Sequence, residues 1–258
     1  MNSNSGRFDS KILNQWVNFI AILAAFLLNI LANIAPLNGL TIGEISNTFF
    51  KEVQIIPANY AFAIWGIIYF GLISLGFYQL LPAQRENPML HKLGYLLAIA
   101  SFAQIIWIFL FQYRLFPLSL LAMVMILIPL IAIYMRLGIG LERVSRKELW
   151  FVHIPLSIYL GWISVATIVN VAIALYSINW NGWGISPQVW TAIMLIAGAG
   201  IAATITAKRA DIAYPLVIMW AFVAIAVRQA NQLPLAATAG GLAIALGLLV
   251  LIRLLRRA

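Results

Sequence analysis

Two short patterns in this chain gather aromatic rings and an amide onto single helix faces. Trp65, Tyr69 and Leu72 follow i, i+4, i+7 spacing, and Trp162, Ala166 and Asn170 recur at every fourth residue. Gln104 and Trp107 add another amide and ring three residues apart. Rings facing one another around an amide would make a flat, apolar pocket with a polar handle, suited to a planar hydrophobic molecule. Nothing resembling a catalytic set accompanies them. The chain has 2 His and 0 Cys, and its 7 acidic residues lie near the ends of apolar stretches or in loops. Paired carboxylates, His/Glu metal spacing, a Gly-rich phosphate loop and a nucleophile elbow are absent from the sequence. These residues read as binding machinery that requires no cofactor or metal.

The elements that must position them are long and apolar. Eight stretches, at 13–34, 59–81, 92–113, 117–137, 149–175, 188–206, 212–229 and 235–252, each approach or exceed the roughly 20 residues needed to cross a bilayer. The composition is 64% hydrophobic and 9% charged, with mean hydropathy +0.98. Lipid offers no partner to unpaired backbone groups, so the spans must be helices. The expected fold is an all-α membrane protein, a polytopic bundle of about eight transmembrane helices.

The net charge of +9 is a topology signal rather than a nucleic-acid patch. With eight spans, the N-terminus, the even-numbered connections and the C-terminus share one side. That side holds all 16 Lys and Arg except Lys51, Arg114 and Arg228. Lys and Arg kept in short cytoplasmic loops orient a membrane protein, so both ends are expected in the cytoplasm. The basic residues are scattered over several short segments, which argues against nucleic acid as a partner.

Between the spans, the segment from Ala35 to Ala58 is long enough for an interfacial helix or a lid, though an ordinary surface loop fits equally well. Pro129 and Pro155 fall within helical stretches and should kink them. Asn29, Asn33, Gln104, Thr167 and Asn170 lie within spans and should face the bundle interior, as interhelical glue or as pocket lining. Trp16, Trp150, Trp180, Trp183 and Trp190 fit an interfacial belt, whereas Trp65, Trp107, Trp162 and Trp220 sit deeper. His153 reads as an interfacial histidine with its hydrogen bonds met, and Arg228 as a cation that snorkels to the outer headgroups. The last three spans are rich in Gly and Ala, a texture suited to tight packing more than to a cavity.

Three segments resemble the tryptophan-rich sensory protein family, also called translocator proteins or peripheral benzodiazepine receptors. Pro57-Ala58-Asn59-Tyr60-Ala61-Phe62-Ala63-Ile64-Trp65 through Tyr69 is similar to the opening of that family's second helix, P-x-W-x-F-x-P-V-W-x-x-x-Y in outline. Gln104 to Phe111 resembles its third-helix N-x-x-W-x-x-x-F. Tyr159, Trp162, Ala166 and Asn170 follow its fifth-helix Y-x-x-W-x-x-x-A-x-x-x-N. The departures are Asn59 for Trp, Ala63 for Pro and Gln104 for Asn, with three further spans after Trp183.

The resemblance implies a translocator-like five-helix bundle over 13–180 and an additional three-helix region over 187–253. It implies a pocket between helices that takes porphyrins, sterol-like molecules or synthetic ligands. Carried over by position, Trp65, Tyr69, Trp107, Trp162, Ala166 and Asn170 are pocket candidates, with Gln104 beside them. The expected function is a membrane receptor or sensor for a planar hydrophobic molecule, with a tetrapyrrole as the ligand class. A permease for a hydrophobic or neutral solute and a ligand-free scaffold are the alternatives. Light-driven porphyrin breakdown is the one enzymatic reading left open. The expected partners are the lipid bilayer, the small molecule and a second copy in a homodimer. The expected location is a bacterial cell membrane, with multiple passes.

Overall fold

The computed structural model describes residues 3–256, with side chains over 12–256. Arg7, Lys11 and Arg257, three of the residues assigned to the basic side, have side chains outside the described residues. The described backbone is helical and contains no strand. In chain order the helices are α1 (Ser3–Ile34), α2 (Ile42–Phe49), α3 (Ile64–Leu80), α4 (Pro88–His91), α5 (Leu96–Gln112) and α6 (Phe116–Arg136). They continue with α7 (Arg146–Glu148), α8 (Ile154–Ser177), α9 (Pro187–Lys208), α10 (Ala213–Arg228) and α11 (Leu233–Leu255). A 3-10 turn at Asn59–Ala63 leads into α3.

Local chemistry sets the ends. Thr41 and Glu44 form a reciprocal capping box at the start of α2, and Ser145 and Glu148 do the same for α7. Pro88, Pro117, Pro187 and Pro234 occupy first turns, where a missing N–H breaks no helical bond. Pro129 lies deep inside α6, and Pro155 lies within the continuous helical run Arg146–Ser177. Just ahead of Pro155 the chain widens into one π turn over Leu149–His153, so the disturbance expected there takes the form of a π-bulge at the head of α8.

Six helical segments are long and apolar enough to cross a membrane. Leu96–Gln112 and Ala213–Arg228 are shorter, at 17 and 16 residues. At about 1.5 Å per residue they rise roughly 24–26 Å, a little less than the hydrocarbon core. Both stop short of the stretches expected from hydropathy for local reasons. Gly94 turns with φ +50° before α5, and the Asp211 carboxylate accepts hydrogen bonds from the N–H groups of Ala213 and Tyr214 to start α10.

Helix α5 packs between α1 and α6, α8 packs on α3, α6 and α10, and α9 and α11 close on α10. The last three helices are not a separate layer. The Ala58 N–H donates to the Ala224 carbonyl at 3.1 Å, and the Trp220 indole donates to the Ala61 carbonyl at 3.1 Å. At Gly161 a Cβ would lie 3.1 Å from the Val217 side chain, so the missing side chain lets α8 and α10 close. Large apolar residues such as Phe70, Phe102, Ile128 and Ile244 stand exposed along the helices, and this outer surface meets lipid.

The connections sort onto two faces. On one, Lys92 pairs with Glu142 at 3.6 Å, Asn87 donates to Glu148 at 3.2 Å, and Arg209 donates to the Ile139 carbonyl at 2.9 Å. On the other, the Arg114 guanidinium sits 4.6 Å from the centre of the Phe49 ring, and Gln229 donates to the Gln54 carbonyl at 2.7 Å. These are the even and odd groupings that the charge asymmetry requires.

Gly140 joins two connections on the basic face. Its φ is +75°, its carbonyl accepts from the Ala210 N–H at 2.5 Å, and an added Cβ would lie 2.8 Å from the Asp211 backbone nitrogen. Gly140→Ala should therefore destabilise the protein by about 1–3 kcal/mol through overpacking and an unfavourable φ. Thermal unfolding in detergent should show a lowered midpoint, and an unchanged one would mean that the two connections are free to separate.

Candidate ligand-binding cavity

Helices α1, α3, α5, α6 and α8, with the short α2 as a lid, border a cavity of about 470 Å³. Its inner wall includes Trp65 from α3, Trp107 and Phe111 from α5, and Trp162, Ala166 and Asn170 from α8. Its polar rim includes Asn29 and Asn33 from α1, Ser46 and Asn47 from α2, and Asn59. A volume of this size, with five aromatic rings among aliphatic and polar lining residues, falls within the usual range for small-molecule sites.

The rings are held edge to face or stacked. Trp65 stacks on Tyr69 with centroids 5.5 Å apart, and Phe62 meets Trp162 edge-on at 5.9 Å. Two amides fix them. The Trp107 indole donates to Asn170 Oδ1 at 2.6 Å, and Asn170 Nδ2 donates to Ser119 Oγ at 3.0 Å, tying α5, α8 and α6 together. Tyr159 Oη donates to Gln104 Oε1 at 2.5 Å, Gln104 Nε2 donates to Tyr69 Oη, and Tyr69 Oη donates to the Ala25 carbonyl at 3.2 Å. This second relay crosses α8, α5, α3 and α1.

Of the seven residues singled out from sequence, Trp65, Trp107, Trp162, Ala166 and Asn170 share the cavity wall. Tyr69 and Gln104 stand behind it as the relay under Trp65. The amides of Gln104 and Asn170 are engaged with protein groups, so neither is free to orient a ligand by itself. The polar atoms near an occupant belong instead to the rim, where Asn59 and Asn47 already share a hydrogen bond at 3.0 Å. The rim signal in the sequence was the asparagine pair one turn apart at 29 and 33; Ser46 and Asn47, by contrast, carry no distinguishing pattern. Thr167 donates to the Ile163 carbonyl at 2.7 Å and lines a neighbouring cavity between helices.

Helix α2 roofs the site. Two cations on the less basic face hold it: Arg114 lies over Phe49, and Arg228 donates to Asn47 Oδ1 at 3.0 Å and toward the Pro57 carbonyl at 3.4 Å. Arg228 was expected to reach outward to headgroups; the polar backbone and side-chain oxygens of the lid capture it instead. Gln112 fixes the approach to the lid, accepting from the Leu37 N–H at 3.3 Å and donating to the Ala32 carbonyl at 2.7 Å.

A profile described as TSPO-like protein matches residues 15–252. The chain belongs to the TSPO-like protein family. The match runs through the last three helices as well as the first five, so membership covers nearly the whole chain. No curated protein and no solved structure matches the chain significantly. This TSPO-like protein is a polytopic, integral membrane protein that contacts the bilayer through apolar helices.

A second cavity of about 380 Å³ lies across α8, bounded by residues of α6, α9 and α10, and by Ile55. The small-residue helices were expected to pack without a cavity. Gly198 instead leaves the Phe222 ring 3.5 Å from where a Cβ would stand, and both line this hollow. Val165 and Val169 line both cavities, so a single helix separates them.

The lid carries its own pH dependence. The Glu44 carboxylate accepts from the Thr41 N–H at 2.8 Å and from its hydroxyl at 2.9 Å, and these bonds hold its pKa below the ordinary value of 4.5. A carboxyl lowered in the folded state contributes its stability fully above 4.5 and loses it as pH falls through the lowered folded value. The amide resonances of Thr41 and Glu44 should shift together with a midpoint below 4.5, and Thr41→Ala, which removes the hydroxyl bond but keeps the backbone N–H, should move that midpoint only part of the way back. A midpoint at 4.5 in the unmodified protein would show that the cap is not formed in solution.

Proposed function

We propose that this TSPO-like protein is a membrane receptor that holds a planar hydrophobic molecule in the cavity beneath α2, with a tetrapyrrole as the ligand class. The observation carrying the reading is the convergence of Trp65, Trp107 and Trp162 on one cavity whose rings are locked by buried amides. Preset rings lose little freedom when a flat ligand stacks between them, so more of the contact energy appears as affinity. The Lys and Arg of the basic face support a cytoplasmic position for it, with α2 on the opposite side of the membrane.

The rim refines the ligand class. Glu44 lines the cavity, and no Lys or Arg does. Arg228 donates to the rim residue Asn47 from outside the lining, so ionised acids at the edge of a ring would meet the Glu44 carboxylate and amides before any cation. A tetrapyrrole with neutral edge groups should bind more tightly than its free acid.

Titration of the purified protein with protoporphyrin IX and with its dimethyl ester, read by quenching of Trp fluorescence, tests both statements. Saturable binding of the ester at the lower concentration is expected. Trp162→Phe should weaken binding by about 1 kcal/mol, roughly fivefold, through lost stacking. Asn170→Ala should weaken it indirectly by releasing the Trp107 indole. Unchanged affinity in both variants would place the pocket elsewhere.

One observation favours a permease as the second reading: Val165 and Val169 form a shared wall between the two cavities. Movement of α8 would connect them. Vesicles containing the protein should then show ligand flux that Val169→Trp blocks, whereas a receptor would show binding without flux.

A further inference from the structure

The second cavity, of about 380 Å³, runs along the helices rather than across them. Met194, Gly198, Ile201, Ile205 and Arg209 follow one face of α9, and Tyr214, Ile218, Phe222 and Ile225 follow one face of α10. At about 1.5 Å per residue the α9 wall rises roughly 22 Å, longer than one leaflet of the hydrocarbon core. At the roughly 30 Å³ that a water or a methylene takes up in a liquid, the hollow holds about a dozen such groups, one alkyl chain rather than two. It opens sideways. Ile131 and Met135 of α6 and Ile201 of α9 line it and are exposed, and α9 packs chiefly on α10 and α11, which leaves a lipid-facing cleft between α6 and α9.

Charge stands at one end only. Arg209, at the basic face, is the charged residue of the lining, and the opposite end is closed by Ile55, Phe222 and Ile225. The Arg209 guanidinium lies 4.9 Å from the centre of the Tyr134 ring and donates to the Ile139 carbonyl at 2.9 Å. Its second bond, also 2.9 Å, goes to the Met135 thioether, a weak acceptor. A guanidinium carries more N–H donors than these two bonds use, and no carboxylate lies within ion-pair distance of it among the described residues. The nearby acids are engaged elsewhere. Asp211 accepts from Tyr134 Oη at 2.8 Å, Ser157 Oγ at 2.7 Å and the N–H groups of Ala213 and Tyr214 at 2.9 and 3.3 Å, and it lines a neighbouring groove, not this cavity. Glu142 pairs with Lys92 at 3.6 Å and is also outside the lining. Arg136 and Lys208, each next in sequence to a lining residue, stand exposed at the same end.

We propose that this cleft holds one acyl chain of an anionic phospholipid from the leaflet at the basic face, with the phosphate on Arg209 and the second chain in the bilayer. The volume selects a single chain, the sideways opening leaves room for the other, and the cation at one end sets the direction. The planar fork of an arginine matches two phosphate oxygens. A zwitterionic lipid would carry its ammonium toward Arg136 and Lys208, with no acid in the lining to receive it. The chain would lie against Val165 and Val169, the wall shared with the roofed cavity, but the site does not depend on the reading given to that cavity.

Photo-crosslinking in nanodiscs tests this with two phospholipid probes that share one diazirine-bearing acyl chain and differ only in a glycerol or a choline head. Mass spectrometry reads labelling of the segments 127–135 and 194–209. The anionic glycerol-headed probe should label them about fivefold more than the choline-headed one. Arg209→Gln should remove that preference, whereas Lys208→Gln, outside the lining, should leave most of it. Ile201→Trp, at the exposed border of the cleft, should reduce labelling by both probes. Equal labelling by the two heads, equal losses in the Arg209 and Lys208 variants, or an Ile201→Trp without effect would overturn the proposal and leave ordinary lipid contact. Displacement of the anionic probe by a free fatty acid at lower concentration than by unlabelled phosphatidylglycerol would overturn the assignment to a phospholipid. If Arg209→Gln fails to fold for want of its bond to Ile139, the head-group pair and Ile201→Trp still decide.

Discussion

A primary amide inside a bilayer must find its partners in protein, and the core of this structure is organised around two that do. Gln104 connects Tyr159, Tyr69 and, through Tyr69, the α1 backbone. Asn170 connects Trp107 and Ser119. Between them they bind α1, α3, α5, α6 and α8, the same helices that form the roofed cavity. Dispersion alone would let apolar helices slide and rotate against lipid-like neighbours. The amides supply direction, so the rings facing the cavity are oriented before anything enters it.

That division of labour explains what could be read from residues alone. The helical spans were legible because lipid permits little else. The wall residues Trp65, Trp107, Trp162, Ala166 and Asn170 were found by helical spacing and by resemblance. Which of the seven singled-out residues touch the cavity was not legible. Tyr69 and Gln104 share the pattern of the wall residues, but they stand one layer back, and only helix rotation distinguishes the two positions. Asp211 was hidden because its carboxylate lies between two spans in sequence while its four hydrogen bonds come from three different elements. His153 was visible as a residue and read as satisfied, whereas it is 3% exposed with no hydrogen-bond partner at Nε2.

The last three helices also changed character once placed. Their Gly and Ala content suggested close packing, and close approach is found where α10 meets Gly161. Of these helices, α9 and α10 supply one side of the second cavity, and α10 one side of a groove near the basic face. Small residues bring backbones together at some levels and leave hollows where a larger neighbour cannot follow, so texture alone does not distinguish a scaffold from a binding wall. Their hydrogen bonds to residues 54–61 further make them part of the frame that supports the lid.

Helix α8 contributes residues to three hollows: Trp162 and Asn170 to the first, Leu160 and Ile168 to the second, and Ser157 and Ile158 to a groove of about 850 Å³ near the basic face. Its faces are therefore not independently adjustable. A larger side chain at Val165 or Val169 takes room from two compartments at once, and a rotation that widens one must narrow another. During divergence, ligand range in one compartment would be inherited together with the shape of its neighbours, and the substitutions open to this helix would be those acceptable to every occupant simultaneously.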